Sequence, residues 1–406
     1  TARATTDLTS LNLDFAHGKV RSVEVDGLPA GFKRAGEDLV VTPEHPVLSG
    51  ERMRVTVRHT SDPARGRRGG WVRTRDGLAM ANQPDAAHWV FPCNDHPADK
   101  ALFAFHVLAP RGYTVVASGL PLRRLRTGSR TAWTYRTEHP MATELAQVSI
   151  GRSAVLRQRG PHGLPLRHVV PRKLRARLAP VVRKTAGQIG WMEKQVGPFP
   201  FETYGVLMAD AKTGFELETQ TLSLFETRVF TGKVGRSHAA EAIMVHELAH
   251  QWFGDSVSPE TWSDLWLNEG HATWYQDLWL ARTRTQKLVD RMRQAYRYSD
   301  GWRKAGGPPA APRGPKPGGK LSIFRPVVYE GSALVLYALR QEIGKDAFQR
   351  LERAWVSRYA DGTADTADFT ALASETAGKD LSGFLHGWLY GKKTPPMPRH
   401  PHWKSA

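Results

Sequence analysis

Two histidines four residues apart constrain this sequence more than any other feature. His246 and His250 lie in the run Glu-Ala-Ile-Met-Val-His-Glu-Leu-Ala-His-Gln-Trp-Phe-Gly, which ends at Gly254. Its Ala, Ile, Met and Leu residues favour a helix, which we expect Ser237 to cap and Gly254 to end. On a helix, residues at i and i+4 project from one face, so both imidazoles can bind one metal ion.

Glu269 supplies a third metal ligand, with eighteen residues between it and His250. The segment 261–276 is predicted to be a second helix that packs against the first and returns Glu269 to the metal. Two imidazoles and one carboxylate leave the fourth position of a tetrahedral zinc ion open for water, as in catalytic zinc sites. Glu247 can reach such a water without binding the metal, which makes it a candidate general base. The sequence therefore predicts one zinc ion per chain, held by His246, His250 and Glu269.

The residues around these ligands resemble those of a known enzyme family. His-Glu-Leu-Ala-His-Gln-Trp-Phe-Gly, followed by Trp262 and by Asp-Leu-Trp-Leu-Asn-Glu-Gly up to Gly270, is similar to the signature of the M1 family of gluzincin zinc aminopeptidases. Val-Tyr-Glu-Gly-Ser-Ala around Tyr329 resembles the segment with the family's catalytic tyrosine, and Phe-Pro-Cys-Asn-Asp at 91–95 resembles a motif of its N-terminal domain. The resemblance implies that Tyr329 stabilises the oxyanion of the tetrahedral intermediate. From the residues alone, a packed aromatic residue is the competing interpretation.

The resemblance also implies an anchor for the amino group of a substrate. The alternation of apolar and polar residues over 215–225 predicts an exposed edge strand, which can bind a peptide backbone. The family carries Gly-Ala-Met-Glu-Asn there, and this chain has Phe-Glu-Leu-Glu-Thr, so Glu218 takes the role of amine anchor. Gln83, eight residues before Phe91, matches a position where the family places a second amine contact.

Three residues depart from that motif, namely Phe215, Glu216 and Thr219. We expect them to change how closely the backbone approaches the substrate and the size of the first subsite. Without the resemblance, Glu216 and Glu218 are explained as solvated residues on one face of an edge strand. His271, two residues past Glu269, points to another helix face and is predicted to be structural or to lie behind the ligands.

The order of predicted elements indicates an α+β fold with two domains. Short alternating segments separated by turn residues continue to about residue 150, and helical spacing dominates after Arg172. We expect an N-terminal antiparallel, saddle-like β-sheet domain over 1–158. A thermolysin-like, mainly helical catalytic domain with a small mixed sheet is expected over 159–406. By the resemblance, the first strands of the sheet domain are missing, and so is the large C-terminal helical domain of longer members.

Composition limits the remaining function classes. The 57 Lys and Arg residues against 39 Asp and Glu give a net charge of +18, but the basic residues are spread out and accompany no nucleic-acid motif. We therefore expect peptide partners and no nucleic acid. No apolar run approaches the length of a membrane span. The single cysteine, Cys93, excludes an internal disulfide, and we expect it to be buried. A Pro/Gly-rich segment at 303–320 predicts an irregular, mobile loop.

The expected function is a zinc-dependent aminopeptidase that removes N-terminal residues from peptides. Two alternatives stay open: an M1-like metallopeptidase or other hydrolase that does not require a free N-terminus, and a catalytically silent binding protein. The chain begins at Thr1, so no export signal can be seen. A soluble protein is expected, and the sequence leaves open whether it is secreted or cytoplasmic.

Overall fold

The chain forms strands first and helices second. The computed structural model describes residues 1–63, 69–232, 238–314 and 323–405. Antiparallel sheets occupy the part up to Gly151, and helices around a small mixed sheet make up most of the remainder. The predicted α+β class is confirmed.

The N-terminal strands are short and pair antiparallel. They are β1 (Ala2–Arg3), β2 (Leu11–Asp14), β3 (Gly18–Val25), β4 (Leu28–Pro29), β5 (Gly31–Ala35), β6 (Asp38–Thr42), β7 (Arg52–Met53), β8 (Val55–Ser61), β9 (Gly70–Thr74), β10 (Gly77–Ala81), β11 (Ala104–Pro110), β12 (Thr114–Ala117), β13 (Leu120–Thr127), β14 (Arg130–Arg136) and β15 (Val148–Gly151). Within the described residues the sheet orders are β1-β7, β2-β6-β5, β4-β3-β8, β12-β15-β10-β9 and β11-β14-β13.

Side-chain alternation and turn chemistry explain these strands. In β6, Leu39 and Val41 are fully buried and belong to one apolar cluster, whereas Val40 between them is partly exposed. This is the period of two that a strand with one buried face requires. Strands β13 and β14 pair Thr127 with Arg130, and the turn between them contains Gly128 at a φ of 53°. Two-residue hairpin turns need such a left-handed conformation.

The second part combines a mixed sheet with helices. Its sheet contains β16 (Ser153–Arg159), β17 (Pro165–Pro171), β18 (Val206–Ala209) and β19 (Ser223–Glu226). Strands β16 and β17 pair antiparallel, whereas β18 pairs parallel with both β17 and β19. The helices are α1 (Arg175–Val182), α2 (Thr185–Val196), α3 (Thr227–Thr231), α4 (His238–Ala249), α5 (Trp266–Arg282), α6 (Leu288–Gly306), α7 (Glu330–Ile343), α8 (Lys345–Arg358), α9 (Thr366–Ala377) and α10 (Ser382–Tyr390). A last parallel pair joins β20 (Ser258–Pro259) and β21 (Thr363–Ala364).

Helices α5 and α7 approach each other closely behind the candidate site. Residues Ala333 to Leu339 of α7 are all buried, which explains their uninterrupted apolar sequence. A Cβ atom added to Gly270 of α5 would lie 2.6 Å from the Cβ atom of Ser332 in α7. Only glycine allows this approach. The contact fixes Glu269, next to Gly270, relative to Tyr329 at the start of α7.

Lys100 joins the sheet part to the helical part. Its Nζ atom donates hydrogen bonds to the main-chain carbonyl oxygens of Asp255 and Ser256 at 2.9 Å each, and of Gly362 at 3.2 Å. The first two carbonyls lie in the turn that follows the metal-ligand helix. His139 adds a second link, with Nδ1 2.8 Å from a carboxylate oxygen of Asp361.

The expected division at 158/159 falls inside β16. Because β16 pairs with β17 in the sheet of the helical part, these contacts favour a division a few residues earlier. The two-domain boundary stays a prediction.

The segment predicted as an exposed edge strand differs in the structure. Only Ser223–Glu226 forms a strand, and the preceding chain joins it through a single bridge between Leu217 and Leu224. The segment is also buried from Leu217 onward, because the N-terminal part covers it. For example, the N–H group of Gln220 donates to the carbonyl oxygen of Leu145 at 3.1 Å. The alternation of apolar and polar residues along the segment carries no information about which distant residues pack over it.

The expected irregular loop at 303–320 is only partly described. Arg303 to Gly306 complete α6, residues 307–314 have no regular structure, and 315–320 lie outside the described residues. Ser237, the expected cap of α4, also lies outside them. Cys93 is buried, as expected. None of the helices in the described ranges combines the length and apolar character that a bilayer crossing demands.

Candidate active site

The helix predicted around the two histidines is α4, which ends at Ala249 and not at Gly254 as predicted. It carries His246, and His250 follows in the turn directly after it, with the two ring centroids 4.9 Å apart. Gly254 then turns the chain at a φ of 130°, where an added Cβ atom would meet the side chain of Asn268 at 3.1 Å. The turn that follows α4 is thereby packed directly against α5.

Helix α5 brings Glu269 to both histidines. Oε2 of Glu269 lies 3.2 Å from Nε2 of His246 and 3.4 Å from Nε2 of His250. One ligand atom from each of the three residues lies within 4.8 Å of the others, and all three side chains are buried. These residues, which the sequence predicted as a metal site, are therefore in place to bind one ion.

The donor set and its surroundings fit zinc. Nδ1 of His250 lies 3.1 Å from the carbonyl oxygen of Phe253 and can donate to it, which leaves the lone pair of Nε2 directed at the site. Nδ1 of His246 is buried and has no hydrogen-bond partner among the described residues. Glu218, Glu247 and His250 form a second possible group. The first group is the better match to a catalytic zinc site, because it offers two imidazoles and one carboxylate.

The charges around the histidines favour a cation. Burial opposes protonation of His250, but the carboxylates of Glu218 and Glu269 raise its pKa well above the usual value. Burial opposes ionisation of Glu269 too, yet the two histidines hold its pKa at about 2. The cluster therefore attracts positive charge, and a divalent cation can take the place of the proton on His250.

Glu247 lies beside the ligands and is buried at 6 % exposure. Burial raises its pKa well above the usual value, and the nearby charge of Glu218 adds to the shift, while His250 opposes it. A carboxyl group with a raised pKa holds a proton more readily, which suits a group that accepts a proton and later returns it. Glu247 lines the same cleft as the three ligands and so stays the candidate general base.

Tyr329 stands at the start of α7 and faces the ligands. Its ring is nearly parallel to that of His246, with centroids 6.1 Å apart and an interplanar angle of 22°. Burial raises the pKa of its hydroxyl well above the usual value, and Glu269 and Glu218 raise it further. The phenol thus keeps its proton and can act as a hydrogen-bond donor in the cleft.

Glu218 and Gln83 meet although 135 residues separate them. Nε2 of Gln83 donates to Oε1 of Glu218 at 2.6 Å. Gln251, directly after His250, holds the main chain of Glu218 by donating from Nε2 to its carbonyl oxygen at 3.0 Å and to Oδ2 of Asp255 at 2.7 Å. Gln251 was not predicted as a site residue. A polar side chain next to a ligand, in an otherwise apolar run, was the available signal.

One cleft of about 410 Å³ contains all of these groups. Its lining includes the predicted site residues Gln83, Glu218, His246, Glu247, His250, Glu269 and Tyr329. Phe215 and Glu216, two of the departures from the family motif, also line it, whereas Thr219 is fully buried elsewhere.

A buried glutamate behind the ligands was not predicted. Oε1 of Glu352 in α8 lies 3.1 Å from Nε2 of His271, and its Oε2 accepts a hydrogen bond of 2.7 Å from the hydroxyl of Tyr275. His271 stacks on Phe253 with centroids 4.2 Å apart, so it lies in the core rather than in the cleft. Glu352 shares the apolar face of α8 with Phe348, Leu351 and Trp355. A glutamate on an otherwise apolar helix face is the sequence feature from which the buried Glu352 could have been predicted.

The chain is similar to a known peptidase family and to curated aminopeptidases. Residues 182–388 match the model of the peptidase family M1 domain. Leucine aminopeptidase 2 of Aspergillus oryzae is 26% identical over 79% of the chain and 53% of its own length. Aminopeptidase N of Streptomyces lividans is 27% identical over 75% of the chain and 37% of its own length. The chain thus spans about a third to a half of these curated relatives.

Solved structures match over nearly the whole chain. A mutant of the M1 zinc metallopeptidase of Deinococcus radiodurans, bound to a Tyr-Ser-Ala substrate, has a TM-score of 0.79 and 25% identity, covering 98% of this chain and 90% of that one. A two-domain M1 zinc metallopeptidase mutant bound to L-arginine has a TM-score of 0.81 at 25% identity with the same coverage. The arrangement of a sheet part followed by a helical part is therefore shared with two-domain enzymes.

Proposed function

Because the chain belongs to peptidase family M1, whose model matches residues 182–388, we propose that it is a zinc-dependent aminopeptidase that hydrolyses N-terminal residues from peptides. One observation carries the proposal: the metal ligands, Glu247, Tyr329 and the Gln83–Glu218 pair line the same cleft. The first three groups provide hydrolysis, and the pair provides recognition of a free amine. The relatives named aminopeptidase support the same activity.

His246, His250 and Glu269 would hold the zinc ion. When bound there, zinc supplies a Lewis acid for the peptide carbonyl and lowers the pKa of water from that of the bulk toward roughly 7. Glu247 accepts the proton of the attacking water and later returns it to the amine that leaves. Burial and the nearby charge of Glu218 raise the pKa of Glu247, which favours the uptake of that proton.

Tyr329 contributes electrostatic stabilisation. Its hydroxyl retains the proton and donates a hydrogen bond to the oxygen on which negative charge develops. Since the metal ligands beside it are buried, such a donor stabilises charge there more than it would in water.

Glu218 and Gln83 determine where a peptide is cleaved. The Glu218 carboxylate binds the cationic N-terminus, and Gln83 orients that carboxylate through the bond to Oε1. Anchoring the amine fixes which carbonyl reaches the metal, so the enzyme acts at the first peptide bond. Peptides are the proposed partners, and nucleic acid is not among them.

Paired peptides test the proposal. The zinc-loaded protein should cleave a peptide with a free N-terminus, and N-acetylation of the same peptide should remove most of the activity. Equal cleavage of both peptides would favour the hydrolase that does not need a free amine. Absence of any cleavage with one bound zinc per chain would favour the silent binding protein.

A further inference from the structure

Glu216 lies on the same wall of the cleft as Glu218. Leu217 between them points the other way into the core, and its N–H and C=O groups exchange hydrogen bonds with Leu224 at 2.9 and 2.7 Å. Neighbouring side chains on an extended chain alternate in direction. Glu216 and Glu218 therefore both line the cleft, whereas Leu217 does not.

We expect a bound peptide to extend from Glu218 toward Glu216. Beyond Glu218, Thr219 and Gln220 are fully buried under the N-terminal part. In the other direction the wall opens to solvent, and Phe215 at the rim is 38% exposed. A substrate whose amine is held at Glu218 can therefore leave the cleft on this open side.

Strand spacing places Glu216 at the second residue of the substrate. An extended chain rises about 3.3 Å per residue, so Glu216 and Glu218 are separated by roughly 7 Å along the wall. Over the same span, a bound peptide advances from its amine past the bond that is cleaved. The side chain of the residue after that bond then lies within reach of Glu216.

The charge of Glu216 is not compensated by a basic side chain in the cleft. Among the described residues the cleft lining includes no lysine or arginine. Glu330 on the opposite side has Arg291 at 3.9 Å, and Glu226 below the wall is paired with Arg228, whereas Glu216 has no ion pair in the described part of the chain. Burial raises the pKa of Glu216 and the Glu226 carboxylate adds to the shift, while the main chain of Glu226 and the more distant Arg228 oppose it. A cationic substrate group would restore its charged form.

We propose that Glu216 selects peptides whose second residue is lysine or arginine. The proposal rests on the aminopeptidase function above and adds a substrate class to it. The expected selectivity depends on the negative charge of Glu216, and the family motif has an uncharged alanine at this position.

Three peptides that differ only in the second residue test the proposal: Leu-Lys-Ala-Ala, Leu-Leu-Ala-Ala and Leu-Glu-Ala-Ala. For the zinc-loaded enzyme, kcat/KM should be about five- to tenfold higher for the lysine than for the leucine peptide, and lowest for the glutamate peptide. Glu216→Gln should bring the lysine-to-leucine ratio close to one. Glu216→Lys should favour the glutamate peptide over the lysine peptide. Ratios within one variant cancel any loss of folded enzyme.

Glu44→Gln is the matched control, since it removes the same charge from an exposed position in the N-terminal part. The Glu44→Gln variant should keep the wild-type ratio of kcat/KM between the lysine and the leucine peptide. The proposal for Glu216 would be overturned if the wild type cleaved all three peptides with the same kcat/KM. It would also be overturned if the preference for the lysine peptide persisted in Glu216→Gln. A preference that depends on Glu216 but acts on the first residue, measured with arginyl and leucyl fluorogenic amides, would also overturn it. If the wild type cleaves neither amides nor peptides, the aminopeptidase function itself fails, which is a distinct result.

Discussion

The side-chain amide of Gln83 donates a 2.6 Å hydrogen bond to the carboxylate of Glu218. Gln83 comes from the sheet part and Glu218 from the helical part, so the amine anchor is assembled across the two. Gln83→Ala should leave Glu218 less well oriented and raise KM for free-amine peptides by about three- to tenfold, the range expected for one hydrogen bond. Steady-state kinetics measures the change. Residual cleavage of N-acetylated peptides serves as the control, because it should not respond; an unchanged KM for free peptides would remove Gln83 from the anchor.

Glu247→Gln should abolish turnover while the metal stays bound. The amide cannot accept the proton of the attacking water, and loss of a general base costs about 10²- to 10⁴-fold in rate. Zinc content by elemental analysis should remain near one per chain, since Glu247 is not among the assigned ligands. Activity within tenfold of the wild type would assign the base elsewhere.

Removal of the metal should lower stability as well as activity. A ligand that binds only the folded state at a thousand times its Kd stabilises that state by about 4 kcal/mol, so chelation should lower Tm measurably. Added zinc should restore both Tm and activity. Glu269→Ala is the informative comparison, because it removes one ligand and should make Tm insensitive to the chelator. A Tm that responds equally in wild type and variant would place the ion elsewhere.

His168 should make the fold sensitive to mild acid. Burial lowers its pKa to about 4 from 6.5, and its Nδ1 accepts a hydrogen bond of 3.2 Å from the N–H group of Val206, which requires a neutral ring. The unfolded chain therefore binds more protons between these pH values. The stabilisation is complete above pH 6.5 and is lost as the pH falls toward 4, by about 3 kcal/mol at most.

Denaturant unfolding of wild type and His168→Gln at several pH values measures this effect. The variant lacks the titrating group, so its free energy of unfolding should fall less between pH 6.5 and 4. Parallel pH profiles for the two proteins would contradict the prediction.

Glu352 should matter far more for stability than an exposed ion pair. Its buried carboxylate is bound to His271 and Tyr275, and its removal leaves polar groups without partners at a cost of about 3 kcal/mol. Glu352→Ala should therefore lower the free energy of unfolding strongly. Glu375, which pairs with Arg358 at 2.7 and 2.8 Å on the surface, offers the matched control. Glu375→Ala should have a much smaller effect, and equal effects would show that the Glu352 contacts contribute little.

Local spacing predicted the part of the site that lies on two consecutive elements. His246 and His250 needed only the helical period, and Glu269 only a helix that returns to the first one. Family resemblance alone gave Gln83 and Glu218 their roles at the substrate amine, and their direct contact was not predicted, since no local rule connects residues so far apart. The burial of the segment after Leu217 was missed because it depends on a covering surface more than 70 residues earlier. Glu352 was missed because its partners His271 and Tyr275 lie on another helix.

The three oxygens that accept hydrogen bonds from Lys100 are main-chain carbonyl oxygens, and every residue type carries such an oxygen. Side-chain substitutions in the two acceptor loops can therefore accumulate without loss of the contact, provided that the backbone keeps its course. An insertion or deletion in either loop moves the acceptors away together. Among diverging descendants of this chain, the turn at Asp255 and the loop at Gly362 should thus drift freely in sequence and hardly at all in length.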